Sequence, residues 1–83
     1  MSKKQKLLRQ ILNSQQNVSF QDLVILVKAF GFTLSRINGS HHIFIHPNIP
    51  SLVNIQDVKG KAKPYQVRQF LTLVETHNLT IEN

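Results

Sequence analysis

Apolar residues first recur at helical spacing in Leu7, Leu8, Ile11 and Leu12, set among Lys3, Lys4, Lys6, Arg9 and Gln10. This predicts a helix from Ser2 to Asn13 with one narrow buried stripe. The polar run Asn13 to Asn17 reads as a connector, and Ser19 is a good N-cap with Asp22 three residues on. A second helix follows from Phe20 to Phe30. Its Leu23, Val24, Ile25, Leu26, Val27 and Ala29 leave little polar surface, so it is expected to be buried on more than one side, and Gly31 ends it. Phe32 to Ile37 then reads as a strand with imperfect alternation.

Asn38-Gly39 is a two-residue hairpin signal leading into a strand that opens at His41 and stops at Pro47. Alternation sends His41 to one face and His42 and His46 to the other. Pro47 to Ser51, with two prolines, reads as a loop, and Leu52 to Gln56 as a short third strand. Asp57 to Lys63 is a loop with Gly and Lys. Pro64 starts a last helix, running to His77 with Val67, Phe70, Leu71 and Val74 on one face. The tail Asn78 to Asn83 is expected to fray.

These elements predict one α+β domain: a three-stranded antiparallel meander with helices packed on one face. Residues 1–17 form an extra N-terminal helix and connector, 18–79 the core and 80–83 a tail. Without the first helix the order is α-β-β-β-α, that of double-stranded-RNA-binding domains, an analogy of fold and not of function.

Composition narrows the function. With 83 residues, 41% of them hydrophobic, the chain has a small core and buries roughly 60–65% of its unfolded surface. The absence of cysteine excludes disulfides, thiolate metal sites and a cysteine nucleophile. No apolar run is long enough to span a bilayer and no apolar signal segment follows the first lysines, so a cytoplasmic protein without membrane contact is expected. Ten Lys and Arg against four Asp and Glu leave a formal charge of +6. A small domain so basic is commonly a phosphate-backbone binder.

Three of the four histidines lie in the run Gly39 to Pro47. Histidine moves protons near neutral pH, and Lys59, Lys61 and Lys63 run up to a helix start, where backbone N–H groups add to a phosphate site. The four acids Asp22, Asp57, Glu75 and Glu82 are scattered, which disfavours a carboxylate-bound Mg²⁺. His42 and His46 at strand spacing lack a third ligand for zinc. A metal-free, cofactor-free histidine mechanism suits RNA, whose 2′-hydroxyl can attack the adjacent phosphorus. His41 is the first candidate for the acid or base; a turn histidine bonded only to backbone is the plain alternative. Phe44 and Tyr65 can stack on bases or pack in the core. No second acid or base is evident, since His42 and His46 reach the same side only if the sheet is strongly twisted or the turn departs from ideal strand geometry.

The run Gly39-Ser40-His41-His42-Ile43-Phe44, followed by His46-Pro47, resembles the HicA family of bacterial toxins, the mRNA interferases of type II toxin-antitoxin systems. Gly60-Lys61-Ala62-Lys63-Pro64-Tyr65-Gln66-Val67-Arg68-Gln69 looks like the basic loop and final helix of a longer branch, and the Phe30-Gly31-Phe32 junction like the preceding helix and strand. The resemblance spans residues 19–79. It implies a double-stranded-RNA-binding-like fold and a metal-independent endoribonuclease that cleaves mRNA until a HicB-type antitoxin covers it. The family's functional histidine aligns with His41, with His42 as second choice because some members carry theirs one position later. Gly39 and Ser40 form the supporting turn, and Lys59, Lys61, Lys63 and Arg68 are the expected phosphate contacts. The chain departs from the pattern in its extra N-terminal helix, absent from the shortest toxins, and in Asn54-Ile55-Gln56, where many members carry a Val-Pro-type segment. The competing reading is a non-catalytic RNA-binding module on the same basic surface.

Overall fold

The computed structural model describes residues 2–82 and orders them as α1 (Lys3–Asn13), α2 (Phe20–Ala29), β1 (Thr33–Asn38), β2 (His41–His46), β3 (Ile49–Gln56) and α3 (Pro64–Thr76). The three strands form one antiparallel sheet in the order β1-β2-β3. This is the expected α-β-β-β-α arrangement with an added N-terminal helix.

Local chemistry sets the helix starts. The Ser2 hydroxyl accepts from the Gln5 N–H (3.2 Å) and the Ser19 hydroxyl from the Asp22 N–H (3.3 Å), caps worth about 1 kcal/mol each. Pro64 occupies the first turn of α3, where its missing N–H costs nothing. Packing then supplies most of the stability. Leu23, Leu26 and Val27 of α2, Val67 and Phe70 of α3, and Phe32, Phe44 and Ile55 from the sheet side are the large side chains buried most completely. Each contributes about 1.5–3 kcal/mol by leaving water. Phe70 joins the layers, its ring 5.8 Å from that of Phe30 and 5.9 Å from that of Phe32, both edge-on. From α1, Ile11 is buried and Leu7 and Leu8 lean on the same core.

The sheet departs from the sequence reading in three places. The first loop is Gly39-Ser40 and not Asn38-Gly39, so Asn38 faces His41. Gly39 takes φ +63° while Ser40 stays outside the positive region, the pattern of a type II′ turn. Pro47 to Ser51 is not a loop: Pro47-Asn48 is a tight turn, and β3 already begins at Ile49. Pro50 is tolerated because β3 is an edge strand and bulges there, the register stepping from Phe44↔Val53 to His46↔Ile49. The tail does not fray up to residue 82, because Leu79 and Ile81 pack on the core and the Glu82 N–H donates to the Ala29 carbonyl (2.7 Å).

Candidate active site

The turn Gly39-Ser40 delivers two adjacent histidines to opposite faces of β2. His42, Phe44 and His46 point toward the helices; His41, Ile43 and Ile45 occupy the other face. The helix-side histidines are packed. The His42 ring meets Phe20 edge-on at 4.7 Å, and its Nδ1 donates to the Ser40 carbonyl (3.3 Å). His46, 9% exposed, rests on Phe32 at 5.0 Å and accepts the Asn48 N–H at Nδ1 (3.1 Å). Neither reaches the side of the sheet that holds His41, so the twist needed to bring a second histidine alongside is not present.

His41 is half-buried at the start of β2. Register gives its surroundings: Asn38 and Gln56 lie directly across, and Arg36 and Asn54, the partners of Ile43, lie diagonally. The Asn54 side-chain oxygen lies 3.1 Å from His41 Nδ1. An amide oxygen only accepts, so in the neutral ring Nδ1 carries the hydrogen and Nε2 keeps its lone pair. Asn54 therefore selects the tautomer in which Nε2 can take a proton.

Asn54 and Arg36 were not among the candidates read from the sequence. Asn54 could have been found by carrying the meander's register across to β3. Arg36 could not: alternation from Leu34, the partner of helix-side Phe44, puts it toward the helices, and a bulge at Ser35, between Leu34↔Phe44 and Arg36↔Ile43, turns it to the His41 side.

The lysines sit on a small built hairpin and not on a loose loop. Lys59-Gly60 is a tight turn with φ +52° and +83°, closed by Val58–Lys61 bonds in both directions (2.9 and 3.0 Å). Two positive φ values make it type I′, which Gly60 eases at the second position while Lys59 takes the left-handed conformation at the first. The Gly60 carbonyl accepts the Phe20 N–H (2.9 Å), and the Ala62 N–H donates to the Val18 carbonyl (2.9 Å), tying the hairpin to the start of α2. At its base the Asp57 N–H donates to the Ser40 carbonyl (3.0 Å), so the hairpin leaves the sheet beside the His41 turn. Lys59 and Lys61 are exposed, Lys63 is the N-cap of α3, and Arg68 is exposed farther along that helix. The helix end itself offers little. Pro64 has no N–H, and those of Gln66 and Val67 both go to the Lys63 carbonyl (3.0 and 3.1 Å), so a phosphate here would rest on side chains.

Among the described residues no three His, Asp or Glu side chains converge as a metal site, and no helix is long and apolar enough to cross a membrane. No curated protein and no solved structure gave a match. The model of one family, HicA toxin of bacterial toxin-antitoxin, matches residues 20–75, from the first residue of α2 almost to the end of α3. The matched part contains the whole sheet, the histidine turn and the lysine hairpin, and leaves α1 outside. Since that is well over half of the chain, the protein belongs to the HicA family of toxins of bacterial toxin–antitoxin systems, which implies an antitoxin partner.

Proposed function

We propose that this toxin is a metal-independent endoribonuclease of mRNA, with His41 as the catalytic base, and that a HicB-type antitoxin silences it by covering the His41 face. The observation that carries the reading is the Asn54–His41 contact of 3.1 Å, which leaves Nε2 free on a sheet face that also bears Arg36. In the proposed step Nε2 takes the proton of a ribose 2′-hydroxyl. The 2′-oxygen bonds to phosphorus, the bond to the 5′-oxygen breaks, and the leaving oxygen takes a proton from water, whose hydroxide is neutralised by the proton on Nε2 as the base is restored. The products are a 2′,3′-cyclic phosphate and a 5′-hydroxyl. Charge building on the phosphoryl oxygens is met by Arg36, with Lys59, Lys61, Lys63 and Arg68 holding neighbouring phosphates. RNA brings its own nucleophile, so the step has no need of a metal-bound water.

The test is incubation of the purified protein and His41→Ala with labelled single-stranded RNA in excess EDTA, reading both fragment ends. The expected result is cleavage by the parent protein alone, ending in a cyclic phosphate. Binding without cleavage by either protein would replace the reading with a non-catalytic RNA-binding module; cleavage by both would move the base elsewhere, His42 being next.

A further inference from the structure

The sequence contains six aromatic side chains of the Phe, Tyr and Trp types, and the structure divides them sharply. All five Phe are at most 3% exposed, whereas Tyr65 is 49% exposed. It lies at the second position of α3, on the wall of a groove of about 520 Å³ lined by Leu52, Tyr65, Arg68, Gln69, Thr72 and Leu73. That is within the range of small-ligand sites, ~300–1,000 Å³, though the groove is shallow and broadly open to solvent. Leu52, across from α3, is 55% exposed, pushed outward where β3 bulges. An exposed ring and an exposed aliphatic side chain thus share one slot.

We propose that this groove is a subsite for one unpaired nucleobase of the RNA, stacked on Tyr65 and lying beside the cleaved phosphate; the proposal rests on the RNA-cleaving reading above. Charge selects RNA over other occupants. Arg68 is in the groove and the Lys63 ammonium lies 5.9 Å from the Tyr65 ring centroid, so cations flank the stacking surface, and no carboxylate lines it. Gln69 and Thr72 supply the hydrogen-bonding groups that can tell one base edge from another. The remaining wall is neutral, as a flat base requires.

The groove borders β3, the edge strand that carries the Asn54 partner of His41. Asn54, which holds His41, is two residues from Leu52, a separation of about 7 Å along a strand. A smaller cavity of about 30 Å³, lined in part by Asn54 and Gln66, shares Leu52 and Gln69 with the groove. Gln56, opposite His41, donates its N–H to the Gln66 side-chain oxygen (2.7 Å), and the other end of that amide reaches the Tyr65 hydroxyl (3.4 Å). One side chain, Gln66, therefore spaces the base platform from β3, the strand that carries Asn54.

Cleavage sites of the parent protein, Tyr65→Leu, Tyr65→Phe and Gln69→Ala are mapped on a pool of RNAs randomised around a central position. In parallel, His41→Ala and His41→Ala/Tyr65→Leu are titrated with a fluorescent single-stranded RNA. The expected result is a base preference at one position that Tyr65→Leu flattens, with kcat/KM down about tenfold and RNA affinity down by a similar factor. Tyr65→Phe keeps the stacking ring but loses the hydroxyl that meets Gln66, so it keeps the base preference with a smaller loss of rate than Tyr65→Leu, and Gln69→Ala changes which base is preferred. Parent-like rate, affinity and site distribution in Tyr65→Leu would overturn the subsite while leaving the ribonuclease reading intact. Tyr65-dependent binding without cleavage by the parent would do the reverse. No RNA binding by His41→Ala and no cleavage by the parent would overturn both.

Discussion

His41 and His42 are neighbours in the chain and strangers in the fold. On the helix-covered face, His42 and His46 are held against Phe20 and Phe32 and act as part of the packing. Across the same strand, His41 has an amide on one ring nitrogen, and Arg36 and Asn54 beside it are exposed. Residue type alone does not decide between scaffold and chemistry; strand alternation does, because it sends each side chain either into the apolar layer or away from it. The difference also shows what positions each ring in so small a protein. His42 is located by the Phe20 ring and a bond to its own turn, the Ser40 carbonyl, whereas His41 is located by a side chain of the next strand, Asn54.

The comparison can be broken most directly at the two histidines. His41→Ala is expected to lower the cleavage rate by about 10²- to 10⁴-fold, the usual contribution of a positioned base, with little change in melting temperature. His42→Ala should do the opposite, keeping most activity and melting earlier; loss of cleavage in His42→Ala with an unchanged melting curve would reverse the two assignments.

The apolar neighbours test the faces without touching the chemistry. Phe44→Ala, at 1% exposure, is expected to cost about 3–5 kcal/mol in denaturant unfolding. Ile45→Ala, one residue on and 43% exposed, should cost about 1 kcal/mol. Equal costs would mean that the open face is not open in solution.

Asn54 sharpens the contrast on the chemical side. Asn54→Leu removes one hydrogen bond to the reacting ring, about 1.5 kcal/mol, and so should reduce kcat about tenfold with KM nearly unchanged. Asn54→Asp places a carboxylate beside His41 and favours the imidazolium. Because the base form then needs higher pH, the rising limb of the kcat/KM profile should move to higher pH. A profile that stays in place would remove Asn54 from the mechanism.

The smallest effects belong to the cations. Single Ala replacements of Arg36, Lys59 or Lys61 are each expected to lower the slope of log Kd against log salt by about 0.7, as loss of one contact to single-stranded RNA predicts. Fluorescence titrations of the His41→Ala background over a salt series would measure it. An unchanged slope for Arg36 would place it outside the RNA path.

Much of the frame was legible from residue chemistry. Ser19 announces α2, Pro64 announces α3, and the apolar stripes of both helices mark the core before any coordinates exist. The strand boundaries were less legible. Asn38-Gly39 is the stronger dipeptide signal, yet the turn closes one residue later because Gly39 supplies the positive φ at the first loop position. Pro47 to Ser51 reads as a loop since proline breaks ladders, and only its place on an edge strand with a bulge lets Pro50 stay in β3.

The sequence by itself determined the element order, the division of the histidine run between two faces and the basic charge, because period, caps and composition are local properties. It also carried the resemblance on which the family expectation stood. The tertiary structure alone decided that Asn54 holds His41, that Arg36 turns toward it, that the lysines ride on a stitched hairpin and that Tyr65, unlike Phe44, faces solvent. Each of these depends on strand register, on a bulge or on which surface a helix leaves uncovered, and such relations arise only when distant segments pack together.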